Sequence, residues 1–165
     1  MYIRKTLIND LDSIMKIYGH AKNFMHTSGN PNQWNGAYPD EETIKDDIKR
    51  GESYVIVGDD NIVHGVFMLH KGTDDTYNVI YDGKWIDDSS YAVIHRIARD
   101  TSIHNVIKFV KDYVIEEIPH IRIDTHVDNI VMQNALIKAG FIKCGIIYLK
   151  NGDPRVAFEY TTRRS

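Results

Sequence analysis

The residues best placed for chemistry lie in two short stretches of the second half of the chain. In Ile121-Arg122-Ile123-Asp124-Thr125-His126, apolar and polar residues alternate. An extended chain turns successive side chains to opposite faces, so Arg122, Asp124 and His126 share one face. With His95, the pair Asp124 and His126 has the composition of a two-histidine, one-carboxylate metal site. Eight histidines in 165 residues make such pairings common by chance, and we assign no metal. A nucleophilic thiol at Cys144 paired with His126 is the weaker idea, because a small residue amid a strand pattern is usually core. The second stretch is Arg99-Asp100-Thr101-Ser102-Ile103, between a strand ending at Ile97-Ala98 and a helix beginning near Asn105. Backbone N–H groups at a helix start point outward unpaired, and the positive end of the helix dipole lies there. A phosphate or pyrophosphate suits such a position, and Arg96, Arg99, His104 and Lys108 are near it. The competing reading is an ordinary turn with solvated charges. Trp34, Tyr38 and Trp85 offer ring faces that suit a cation, or they anchor loops against the sheet.

These residues need a scaffold. The chain has 165 residues, 42% of them hydrophobic and 26% charged. Its mean hydropathy is −0.37. That is the length and composition of one globular domain, residues 1–165. One cysteine excludes an internal disulfide and a thiolate-rich zinc site. No apolar run reaches the roughly 18 residues of a membrane span, and the first residues lack the apolar region of a signal peptide. We expect a cytoplasmic protein. Residues 1–90 carry 9 Lys and Arg against 15 Asp and Glu, a balance of −6; residues 91–165 carry 11 against 8, a balance of +3. Nucleic acid needs a net basic face, so it is disfavoured as a partner, as is a membrane.

Helical spacing places Leu11, Ile14, Met15, Ile17, Tyr18 and Ala21 on one stripe, capped by Asp10 or Asp12. Turn formers crowd residues 27–40, and Asp40-Glu41-Glu42 opens a helix that Gly51 stops. Ser53–Val57 and Ile62–Leu69 read as a hairpin around Gly58-Asp59-Asp60-Asn61. Strands are expected at Tyr77–Tyr81 and Tyr91–Ala98, and a helix capped by Ser102 carries Val106, Phe109, Val110, Tyr113 and Val114. The strand Ile121–His126 precedes a helix capped by Asp128 and stopped at Gly140. Phe141–Leu149 and Val156–Tyr160 close the sheet. This order predicts an α+β domain, with a parallel crossover between 91 and 126 beside antiparallel meanders.

The layout resembles the GNAT N-acetyltransferase superfamily over nearly the whole chain. Tyr91-Ala92-Val93-Ile94-His95-Arg96-Ile97-Ala98 is similar to that family's cofactor strand. Ile123-Asp124-Thr125-His126-Val127-Asp128-Asn129, followed by Met132-Gln133-Asn134, resembles a bacterial subgroup of it, as do Gly140-Phe141-Ile142-Lys143-Cys144-Gly145-Ile146-Ile147-Tyr148 and Gly29-Asn30-Pro31-Asn32-Gln33-Trp34. The resemblance implies a mixed, mostly antiparallel sheet of about seven strands with about four helices. It also implies transfer of an acetyl group from acetyl-CoA to a primary amine of a small molecule or peptide, by direct attack in one ternary complex. A protein of this fold that binds CoA or a peptide as a sensor, with weak or lost catalysis, is the alternative. A homodimer stays open.

Roles follow from the resemblance residue by residue. A backbone N–H of the strand ending at Ile97-Ala98 would donate to the thioester carbonyl. Amides of Ile103, His104, Asn105 and Val106 would hold the pyrophosphate, with Arg99, His104 and Lys108 adding charge. Asn129 and Gln133 would face the pantetheine arm. An amine is protonated in water and must lose a proton before it attacks. Asp124, His126 and His95 are the candidate bases, and Tyr148 a candidate acid toward the thiolate. Gln33, Trp34 and Tyr38 are candidates for the acceptor pocket. Two features depart from the family. No glycine stands between Gly83 and Gly140, so the pyrophosphate loop has none, and Asn105 falls where one is expected. Asn tolerates positive φ better than other non-glycine residues. The helix tyrosine that often serves as acid is absent too, with Ile137 near its position.

Overall fold

A computed structural model describes residues 1–163. Its elements are β1 (Tyr2–Lys5), α1 (Leu11–Thr27), α2 (Glu41–Lys49), β2 (Ser53–Val57), β3 (Val63–Lys71), β4 (Ala92–Arg99), α3 (Val106–Ile115), β5 (His120–Thr125), α4 (Ile130–Lys138), β6 (Ile142–Tyr148) and β7 (Pro154–Thr161). The strands form one mixed, mostly antiparallel sheet in the order β1-β2-β3-β4-β5-β7-β6. Its parallel pair is β4 with β5, joined through α3, which is the expected crossover. The α+β class, the strand number and the four helices therefore agree with expectation. Contacts gather into two compact units.

The first unit comprises Met1–Leu69 and His95–Val106. Its core is the predicted α1 stripe, Leu11, Ile14, Ile17 and Tyr18, packed with Trp34, Ile44, Val55, Val57, Val66 and Ala98. A short 3-10 turn, Ile8–Asp10, precedes α1. Its Asp10 carboxylate accepts from the Leu7 amide and is paired with Arg4 at 2.8 Å. Asp40 caps α2 by accepting from the Thr43 amide. β2 and β3 pair as the hairpin that the turn residues predict.

His70–Ile94 and the chain from Ile107 onward make the second unit. Tyr77, Tyr91, Val93, Ile147 and Ala157 form a core cluster there. The strand expected at Tyr77–Tyr81 is not formed. Asp74 accepts from the Thr76 amide and turns the chain into a 3-10 helix at Asp75–Tyr77. Only Tyr81 makes a sheet-like bridge, to Ile146. The loop continues close over β6, where a Cβ on Gly83 would lie 1.8 Å from the Cys144 carbonyl oxygen. The helix beginning near Asn105 is α3, but two caps differ from expectation. Asn129, rather than Asp128, caps α4 by accepting from the Met132 amide, and α3 begins at Val106, four residues past Ser102. Ser102 instead donates its amide to Asp100. Among the described residues, no helix is long and apolar enough to cross a membrane.

Candidate active site

In the first unit the cofactor-strand candidates centre on a distortion. Arg96 stands within β4 at φ +50, in the left-handed region. A non-glycine residue held there inside a strand interrupts the ladder and needs external support. Three side chains give it. The Tyr18 hydroxyl donates to the Arg96 carbonyl at 2.8 Å. The Arg96 guanidinium grips Asp47 with Nε at 2.9 Å and Nη2 at 2.6 Å. Its Nη1 donates to the Tyr38 hydroxyl at 3.0 Å. Asp47 is 1% exposed and also accepts from Arg50. Burial opposes the charge on Arg96, yet the bond to Asp47 holds its pKa above the ordinary guanidinium value. Burial, above all, pushes the Tyr18 phenol far up; the Arg96 charge opposes the rise, and Asp47 adds to it.

The elbow follows. Asp100 donates its amide to the His64 carbonyl, and Arg99 Nη1 donates to the Asp100 and Ile103 carbonyls. His64 bridges Asp100 and Asp60, at 2.7 Å to each. These two hydrogen bonds raise the His64 pKa from its usual value, with burial opposing them. Ile103 and Val106 point inward and are 6% exposed, while His104 and Asn105 are exposed. Asn105 takes φ +57, so the turn that glycines usually make is made here by asparagine. Ala98 is buried, and His95 and Ile97 are half-buried. Among the acceptor-loop candidates, Trp34 is a core residue, 6% exposed and edge-on to Tyr18. Gln33 accepts from the buried Asn30, and Tyr38 is the exposed one of the three.

In the second unit, Asp124 lies on β5 and accepts from the Tyr77 hydroxyl at 2.6 Å. Tyr77 is 1% exposed, and burial, then the Asp124 charge, raise its pKa well above the phenol range. A carboxylate has more lone pairs than this one bond engages. His126 lies beyond the end of β5, and its Nδ1 accepts from the Asp128 amide at 3.0 Å. That bond favours the proton on Nε2 in the neutral ring. Arg122 is covered rather than reactive. Its guanidinium stacks 4.1 Å from the Trp85 ring and 4.3 Å from that of Tyr91, and it donates to the Asp87 carbonyl.

Asn129 is spent on its cap, and Gln133 donates to the Val127 carbonyl at 2.7 Å. Lys108 pairs with Asp112 at 2.6 Å. Tyr148 is exposed, edge-on to Tyr81. Glu159 on β7 is fully buried and bonded to His120 and to the Ile86 amide. Burial raises its pKa, but those bonds bring it below the usual carboxylate value. Burial and Glu159 push the Cys144 thiol up to about 12, so it is not a thiolate at neutral pH. Among the described residues, no group of three or more His, Cys, Asp or Glu could hold a metal.

Tyr77, Asp47 and His64 were not singled out from sequence. The signal for Asp47 was a charged residue on the apolar stripe of α2 beside Ile44 and Ile48. Tyr77 had none, because its partner is 47 residues away.

No protein-family model matches the chain, and no curated protein sequence matches it. Solved structures do. An acetyltransferase of the GNAT family from Streptococcus agalactiae is 30% identical, with a TM-score of 0.88 over 99% of this chain and 96% of that one. The chain belongs to the GNAT family. More distant GNAT-fold structures share its architecture alone. The aminoglycoside acetyltransferase AAC(6')-Ib, solved with coenzyme A and kanamycin, is 15% identical with a TM-score of 0.66 over 98% of this chain and 94% of that one. The ribosomal-protein-S18-alanine N-acetyltransferase from Escherichia coli is 11% identical with a TM-score of 0.61 over 99% and 95%. The distorted β4 and the elbow before α3 are both built without glycine, with Arg96 and Asn105 in the left-handed region.

Proposed function

We propose that this GNAT protein moves an acetyl group from acetyl-CoA to a primary amine of a small molecule or peptide, by direct attack within a ternary complex. The observation that carries the proposal is the elbow from Ala98 to Val106. Asn105 adopts the left-handed turn there, and Ile103 and Val106 tuck inward. A diphosphate fits this donor set through backbone N–H groups at the start of α3. Side-chain charge contributes less than the composition suggests, because Arg99 is bonded to the Ile103 carbonyl and Lys108 to Asp112. His104 is exposed beside this turn.

Acetyl-CoA supplies the activated acetyl group. The backbone of β4 next to Arg96 polarises the thioester carbonyl by donating an N–H. Asp124 takes the proton that the amine must lose, with Tyr77 fixing its orientation. His126 serves this role less well, since the lone pair on its Nδ1 is engaged by the Asp128 amide. Tyr38 and Gln33 lie on the loop assigned to the acceptor. The engaged charges of Arg99 and Lys108 favour one other reading, a GNAT-fold protein that binds CoA or a peptide as a sensor with weak catalysis.

Isothermal titration with acetyl-CoA and with CoA tests the proposal. Saturable heat at or below millimolar ligand is expected from both, and no heat at those concentrations ends it.

A further inference from the structure

We infer that Arg96 is a positioning residue for acetyl transfer, and that Asp47 on α2 is the anchor through which it acts. The inference rests on the acetyl-transfer reading above. Left-handed backbone at a bulky residue costs free energy, and it persists only where its surroundings over-determine it. Arg96 is over-determined from three elements. Tyr18 of α1 holds its carbonyl at 2.8 Å. Asp47 of α2 takes two parallel hydrogen bonds from its guanidinium, at 2.9 and 2.6 Å. Tyr38, on the loop between α1 and α2, accepts from the remaining nitrogen at 3.0 Å.

The geometry suits control of backbone direction better than a surface ion pair would. Asp47 is 1% exposed, and the Arg96 side chain is 13% exposed. A fork on a buried carboxylate fixes orientation as well as distance. Arg50 also pairs with Asp47, at 3.0 Å, so the carboxylate is held from a second side. Ile97 follows directly, and the direction of its amide is set by the dihedrals at Arg96. A lock of this kind acts on an N–H that must meet developing charge, where a small misplacement costs much of the rate. Through Tyr38, the loop assigned to the acceptor is tied to the same lock.

The inference separates catalysis from folding and from donor binding. Glycine adopts φ +50 without strain, so Arg96→Gly should keep the fold while removing the lock. We expect its kcat to fall at least tenfold, with the acetyl-CoA KM and the CoA Kd within threefold of wild type. Wild type should bind acetyl-CoA more tightly than CoA, because only the thioester accepts the Ile97 amide, and Arg96→Gly should lose that preference. Arg96→Lys keeps the charge but not the fork and should recover only part of kcat; Asp47→Asn should resemble Arg96→Gly. Circular dichroism confirms that each variant is folded. A folded Arg96→Gly that retains wild-type kcat and the acetyl-CoA preference overturns the inference and leaves the acetyl-transfer reading standing. A wild type that binds neither ligand overturns both.

Discussion

At the scale of single residues, this protein holds several charges where water does not reach, and some are paired with an opposite charge. Asp47 and Glu159 are the clearest. Removing one member of a buried pair leaves the other charged and unsolvated, at a cost of about 3–5 kcal/mol. Asp47→Ala should therefore lower unfolding stability by about that amount in urea titrations, as Arg96 loses its partner. His64 makes a pH-dependent contribution. Its folded pKa is raised by the hydrogen bonds to Asp100 and Asp60. The stabilisation is fully present below the ordinary histidine value and is lost as pH rises through the raised folded one. Stability measured from pH 6 upward should fall through that window, and His64→Gln should remove the slope. Asp124 bears on the chemistry: Asp124→Asn should lower kcat about a hundredfold with little change in the acetyl-CoA KM. An equal loss from His126→Asn with none from Asp124→Asn would transfer the role to His126.

At the scale of elements, the elbow and the caps decide what can be read from spacing. Proline fixes φ near −65°, whereas Asn105 stands at +57. Asn105→Pro should abolish acetyl-CoA binding while most of the fold survives, and Asn105→Gly should keep it; titration calorimetry distinguishes them. Unchanged affinity in the proline variant would place the pyrophosphate elsewhere. Asn129→Ala should cost about 1 kcal/mol through the lost α4 cap, and Asn129→Ser should restore it. Gly83→Ala pushes a Cβ into the Cys144 carbonyl and should destabilise the loop by about 1–3 kcal/mol in thermal melts. Periodicity made the helices and the hairpin legible, because α1 and the β2–β3 pair bury stripes of the right period. Tyr77–Tyr81 misled, because its apolar residues serve loop packing, with Tyr77 pointing into a core cluster and the Asp74 cap bending the chain. The α4 cap falls one residue later than expected because Asp and Asn compete as caps, and spacing does not choose between Asp128 and Asn129.

At the scale of the whole molecule, the mixed α+β class and the crossover were legible from the alternation of elements, whereas the spatial order of the strands was not; a GNAT structure 30% identical over almost the full length shares the fold. The candidate site was legible only in part. Asn105 was read correctly as a left-handed residue from its place in a glycine-free turn. Long-range pairs left no trace in spacing: Arg96 meets Asp47 across 49 residues, and His64 meets Asp100 across 36. These contacts consumed side chains that composition offers as free charge, so half-chain balances of −6 and +3 say little about a binding face. The most direct measurement is release of free CoA thiol from acetyl-CoA in the presence of a panel of small amines and N-terminal peptides. Acetyl transfer requires saturable, amine-dependent thiol release from at least one acceptor, reduced by Asp124→Asn. Tight acetyl-CoA binding with no turnover on any amine would contradict it.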